Sequence, residues 1–397
     1  VKEQPDDAEW DAGDIRYNVL RWTSSPIPPF GGYGPSFVNP RTGQILGADI
    51  MLELVSVSNR LRRERVFDLA GLDYMMEDEM GLGESGEGHA DHHGHFCEAG
   101  MYAQQAMLFG ATAMDLGDFT GLEKNDLIRQ SLYRLVLHEV GHTLGLNHNF
   151  RGSNLRKLSE VHDKQLAEEA NLCGSVMEYP SINFSPYKDK QGLFYDVAPG
   201  PYDDWVIDYG YSTALPDANM EEARLSKILA KSTDPDLAFA NDADDMRSPG
   251  HGIDPRAMIY DLTDDPVGYA VQRLDLVNRL MPGIKTRYAV EGDSYHELRQ
   301  AYLILTGEYG VQLRIVSRQV GGILVDRSFV GQVTDLKPFT PVSEDNQKEA
   351  MTLLGKYAFA PSAWEIPSNL IPFLQQQRRG FNHFAYNEDP KIHQRVL

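Results

Sequence analysis

The residues best suited to chemistry lie in one stretch, His138-Glu139-Val140-Gly141-His142-Thr143-Leu144-Gly145-Leu146-Asn147-His148. On a helix of about 3.6 residues per turn, His138 and His142 project from one face, one turn apart, so both imidazoles can reach one metal ion. A straight helix cannot bring a third ligand round to the far side of that ion. Gly145 can turn the chain, because without a Cβ it adopts positive φ at little cost, and His148 then returns to the metal. Three neutral imidazoles leave a Zn2+ ion with an open fourth position for water, as in catalytic and not closed structural sites. The ion lowers the pKa of such a water from about 15.7 toward about 7. Glu139, pointing about 100° around the helix from His138, is the candidate general base beside that water.

Ligands of this kind need a rigid helix, and the flanking sequence predicts one over about 123–144. Leu127, Ile128, Leu132, Leu135 and Val136 form its apolar stripe, Thr120-Gly121-Leu122-Glu123 has the form of a capping box at its start, and Gly145 ends it. Further along lies Ser175-Val176-Met177-Glu178-Tyr179. Together with the HExxHxxGxxH spacing, this segment resembles the zinc motif and Met-turn of the metzincin clan of zinc endopeptidases. The resemblance implies that Met177 forms an apolar floor beneath the zinc ligands and that Tyr179 helps hold the tetrahedral intermediate. Residues 39–50 are similar to the strand-forming region ahead of the site in such proteins, and residues 201–211 to the helix that closes the catalytic domain.

The whole chain resembles the bacterial Met-zincin family of zinc-dependent metalloproteases, in which a long helical extension follows the catalytic part. That resemblance implies an α+β fold. A metzincin-like domain over 1–212 would hold a twisted sheet, the active-site helix at about 123–144 and the Met-turn at about 175–179, and a mostly helical domain of 213–397 would follow. It also implies an extracytoplasmic location, periplasmic or secreted. Asn149 and Phe150, directly after His148, depart from the astacin, matrixin, reprolysin and serralysin patterns, so no substrate preference carries over from those groups.

Elsewhere, Ile15, Tyr17 and Val19 alternate with Arg16, Asn18 and Leu20, which predicts a half-buried strand over 14–22, and a second strand is expected over 44–55. Residues 57–69 read as an Arg-rich helix. Residues 75–95 read as an acidic, glycine-broken surface loop whose His89, His92, His93 and His95 are solvated or hold a second metal. The Gly81-Leu82-Gly83-Glu84-Ser85-Gly86 match to a dinucleotide fingerprint is set aside, since no strand precedes it and the flanking carboxylates repel pyrophosphate. Residues 98–116 predict a packed helix and 201–211 a short one closed by Gly210. Amphipathic runs at 220–231, 267–281, 293–308, 343–357 and 368–378 predict a largely helical remainder, with a Gly321-Gly322 turn between short β-like runs. Asn241-Asp242-Ala243-Asp244-Asp245 lacks the spacing and terminal Glu of a calcium loop and reads as a solvated turn.

Composition limits the partners. The 397 residues carry 58 acidic and 37 basic side chains, a net charge of −21, which repels phosphate backbones and excludes nucleic acid. No stretch is apolar enough for a membrane span, and no oligomeric state is implied. The start at Val1-Lys2-Glu3-Gln4 reads as a processed piece of a longer chain. Only Cys97 and Cys173 are available for a disulfide, which would brace the Met-turn; two buried free thiols, or one thiol on the metal, are the other readings. The leading expectation is a zinc-dependent endopeptidase that cuts polypeptides held extended along a sheet edge. Its alternatives are a zinc hydrolase of a non-peptide amide or ester, and a binding protein whose zinc is closed off structurally by Cys97 or Cys173.

Overall fold

Short strands that read weakly in isolation gain their stability from one central partner. The strands are β1 (Val19–Thr23), β2 (Gly32–Tyr33), β3 (Ser36–Val38) and β4 (Ile45–Glu53). β4 pairs with β1 in parallel, Val19 opposite Asp49, and with β2 and β3 antiparallel, Gly32 opposite Leu52 and Ser36 opposite Ala48. Ile50 and Leu52, two apart on β4 and therefore on one face, are buried in the core with the helices, while Glu53 on the other face accepts the Thr23 hydroxyl of β1 at 3.1 Å. The computed structural model describes residues 2–24, 31–53, 97–117, 119, 122–168, 171–187, 189–245, 252–363 and 369–374. The expected helix over 57–69 and the loop bearing His89, His92, His93 and His95 lie outside the described residues.

Two helices then run behind the sheet. α1 (Ala99–Leu116) buries small residues, Ala99, Gly100, Ala106, Gly110 and Ala113, which lets neighbouring elements approach it closely. α2 (Lys124–Thr143) carries the histidines. Beyond them come α3 (Pro201–Tyr211), α4 (Ala218–Leu229), α5 (Pro266–Leu280), α6 (Ile284–Tyr288), α7 (His296–Ser317) and α8 (Glu344–Leu354), with a two-stranded pair of β5 (Ile323–Val325) and β6 (Phe339–Pro341) between the last two. α7 is buried along most of its length and packs on α5 and α1. One hydrophobic cluster, from Ile50 on β4 to Leu374, joins β4, α1, α2, α5 and α7. Inside it, Arg273 of α5 pairs with Glu308 of α7 at 3.1 Å and lies over the Phe109 ring of α1. Breaking such a buried pair would strand a charge in the core, so it fixes how these helices meet.

Several expectations are corrected. The alternation over 14–22 yields a strand only from Val19; Ile15 and Tyr17 are exposed, because β4 offers pairing partners to residues 19–23 alone. α2 starts at Lys124 with Glu123 in the N-cap position, so Glu123 does not serve as the third residue of a capping box, and Thr120 lies outside the described residues. Gly210 sits inside α3, which runs on to Tyr211. Gly321, at φ 75°, turns the chain from α7 into β5 and does not link two strands. The run at 293–308 continues to Ser317, whereas that at 368–378 forms only a short 3-10 turn at Ile371–Phe373 within the described residues. Cys97 and Cys173 are both buried and free, so no bridge braces the 175–179 segment.

Candidate metal centre

The site begins with the end of α2. Gly145 has φ 87°, and around it Leu146 N–H donates to the Gly141 carbonyl at 3.0 Å and Gly145 N–H to that of His142 at 2.9 Å. This is the reciprocal pair of bonds of a left-handed helix stop, and a residue with a Cβ would be strained there. The same turn aims a ligand, since the freed carbonyl of Leu146 lies 3.0 Å from His142 Nδ1. Tyr211, at the end of α3, holds the turn from outside through a 2.7 Å bond to the Leu144 carbonyl.

Each histidine is oriented through its Nδ1. His138 Nδ1 lies 2.7 Å from the Val176 carbonyl, and His148 Nδ1 lies 2.9 Å from both carboxylate oxygens of Asp242. With all three Nδ1 atoms facing acceptors, the proton sits on Nδ1 and the Nε2 lone pair is left to bind a metal. The structure brings His138, His142 and His148 together with Cys97 so that one ligand atom from each lies within 4.8 Å of the others. His142 Nε2 is buried with no hydrogen-bond partner, the condition of an atom waiting for a ligand. Burial, reinforced by the neighbouring imidazoles, holds His138 well below the usual imidazole range and His142 down to about 4. Both are therefore neutral at pH 7, as a divalent cation requires.

Met177 is fully buried, and its Sδ packs on the helix between the first two histidines: a Cβ added at Gly141 would sit 2.2 Å from that sulfur. Gly141 thus permits the contact. The 175–179 turn is secured from two sides. Arg134, one turn before His138, donates to the carbonyls of Val176 and Glu178 (2.6 Å to the latter) and pairs with Asp196 at 3.2 Å. Asp203, in the first turn of α3, accepts from the Ser175 hydroxyl at 2.7 Å and from Val176 N–H at 2.8 Å. Asn149, the departure noted in the sequence, accepts Ala240 N–H and donates to the Ala238 carbonyl, which fixes the loop that carries Asp242.

Glu139 is 0 % exposed. The backbone of Gly32 to Gly34 lies against it closely enough that a Cβ on Gly32 would meet Glu139 Oε1 at 2.5 Å. Neither carboxylate oxygen makes a hydrogen bond of good geometry. Burial pushes the carboxyl up to about 8, against a smaller opposing effect of the Cys97 thiol and Gly34 backbone beside it. The Tyr179 hydroxyl lies 2.8 Å from His148 Nε2 and accepts Glu98 N–H at 3.2 Å. The predicted residues His138, Glu139, His142, His148, Met177 and Tyr179 therefore share one centre, with Gly145 turning the chain beside it. Sequence reasoning missed Arg134, Gly141, Asp203 and Asp242, and treated Cys97 as one ligand option among several. Of these, only Arg134 had a local signal, since it lies one turn from His138 on the same buried face.

A family model described as Met-zincin matches residues 121–397. No curated protein and no solved structure matches the chain. Among the described residues no helix is long and apolar enough to cross a membrane.

Proposed function

The chain belongs to the Met-zincin family, and on that basis we propose that it is a zinc-dependent endopeptidase whose metal is held by His138, His142 and His148. The observation that carries this reading is the convergence of three imidazoles, each with its Nδ1 engaged, beside a buried glutamate. Bound zinc would supply an acidified water and polarise the scissile carbonyl. Glu139 takes the proton from the attacking water and hands it to the leaving amine. The Tyr179 hydroxyl donates to the oxygen that becomes negative in the tetrahedral intermediate. An extended peptide adds alongside β2, the antiparallel strand that packs against α2.

The test is cleavage of casein by the purified full chain, its loss on treatment with a chelator and its return with zinc. Absence of chelator-sensitive cleavage would overturn the reading. A second reading has one observation in its favour, the sulfur of Cys97 among the donors. It is a closed structural zinc site in a non-catalytic binding protein. That reading requires the zinc-loaded chain to leave casein intact in every variant that keeps its fold.

A further inference from the structure

Three imidazoles account for three of the four converging donors and leave the sulfur unexplained. Cys97 lies just ahead of α1, is 6 % exposed and is not in a disulfide. Its Sγ is 3.2 Å from His138 Nε2 and 3.4 Å from the Tyr179 hydroxyl. The Glu139 carboxylate, fully buried and with neither oxygen in a good hydrogen bond, also neighbours the sulfur. A water attacking a peptide would have to touch the same three groups, the imidazole cluster, Tyr179 and Glu139. The sulfur therefore stands in the position that such a water needs. Cys173 provides the contrast: it too is buried and free, but it lies in a separate apolar cluster with Leu172 and Leu193.

We infer that Cys97 is a fourth donor to the zinc and that it holds the resting centre closed until its sulfur is displaced. The inference rests on the reading of this centre as the zinc site of an endopeptidase. The donor chemistry fits, because three imidazole nitrogens and one thiolate make a complete tetrahedral set, whereas three imidazoles alone do not. Opening needs no oxidant. Ligand exchange is enough: the zinc–sulfur bond would break as a water oxygen takes the sulfur's place, with no change in oxidation state, and the sulfur would stay beside His138 and Tyr179.

The experiment loads the full chain with Co2+ and records its absorption spectrum. The wild type should show a near-ultraviolet sulfur-to-cobalt charge-transfer band; Cys97→Ala should lose it while keeping the visible bands of bound cobalt, and Cys173→Ala should retain it. No such band in the wild type, or its persistence in Cys97→Ala, overturns the fourth donor. If Cys97→Ala does not fold, X-ray absorption of the zinc-loaded wild type decides, one sulfur in the shell supporting the inference and none overturning it. Casein cleavage separates the two levels of the argument. Faster cleavage by Cys97→Ala supports the closed resting state, and slower cleavage overturns it. Loss of the band with no cleavage by either protein leaves the fourth donor standing and overturns the endopeptidase reading.

Discussion

The contact between Gly141 and Met177 makes a sharp prediction about a substitution that helix propensity alone would call harmless. Gly141→Ala in the interior of α2 should gain up to about 1 kcal/mol from propensity. Its methyl carbon would, however, lie 2.2 Å from Met177 Sδ, in a side chain with no exposure to retreat into. Ordinary contact begins near 3.4 Å, so helix and turn must separate by more than an ångström, and overpacking of this kind costs about 1–3 kcal/mol. With the full propensity gain the net expectation is a loss of up to roughly 2 kcal/mol, read by urea denaturation of the zinc-free protein. Because the helix that must shift carries His138 and His142 on either side of Gly141, zinc affinity should fall as well. Met177→Ala removes the obstacle and should itself cost about 2–5 kcal/mol through the cavity it leaves. In the double variant the new methyl group enters that cavity, so the combined loss should fall short of the sum by at least about 1 kcal/mol. A stabilised Gly141→Ala protein with unchanged zinc affinity, or strict additivity in the cycle, would refute the packing argument.

Asp242→Ala leaves His148 Nδ1 without its carboxylate and should lower zinc affinity about 10–100-fold, measured by competition with a chromophoric chelator. Asp244→Ala, whose carboxylate pairs with Arg327 and accepts Asn241 N–H in the same turn but faces no histidine, is the control for loop disturbance, and equal affinities in the two variants would count against the orientation argument. Tyr179→Phe should lower kcat by about 100-fold with KM and zinc content nearly unchanged, since one oxyanion donor is lost; an unaltered kcat removes Tyr179 from the chemistry. The pH dependence of the zinc-free protein follows from Glu139, whose folded carboxyl lies at about 8 against an ordinary 4.5. The folded state binds more protons than the unfolded one across that interval, so this stability is present below 4.5 and lost as pH rises toward 8. Asp261, raised by burial to about 7, acts in the same direction. Glu139→Gln should therefore flatten, without abolishing, the fall in melting temperature over that range, and parallel profiles would contradict the burial argument.

What could be read from the sequence was what depends on local periodicity. The spacing of His138, His142 and His148 needed only helix geometry and one left-handed residue, and Gly145 takes that conformation at φ 87°. α1 was equally legible, because small and apolar residues recur along its packed face, whereas α3 was placed but its stop was misassigned to Gly210. The supports of the site were not legible, because they reach across long separations in the chain. Asp242 lies 94 residues from the histidine it orients and sits in an acidic run that reads as solvated turn. The proximity of Cys97 to His138 depends on how α1 packs against α2, which no local pattern encodes. The overlong strand at 14–22 fails for a related reason: alternation marks which side chains could share a face, but β4 decides how many of them find a partner.

The central claim is that Glu139 performs chemistry at a metal held by three histidines, and the most direct measurement is casein cleavage by zinc-loaded wild type and Glu139→Gln with zinc content determined on the same samples, each with and without Cys97→Ala. The account predicts one zinc per chain in both proteins, cleavage by the Glu139 forms and none by the Gln forms. Equal cleavage rates at equal zinc content, or intact casein throughout with zinc bound, would contradict it.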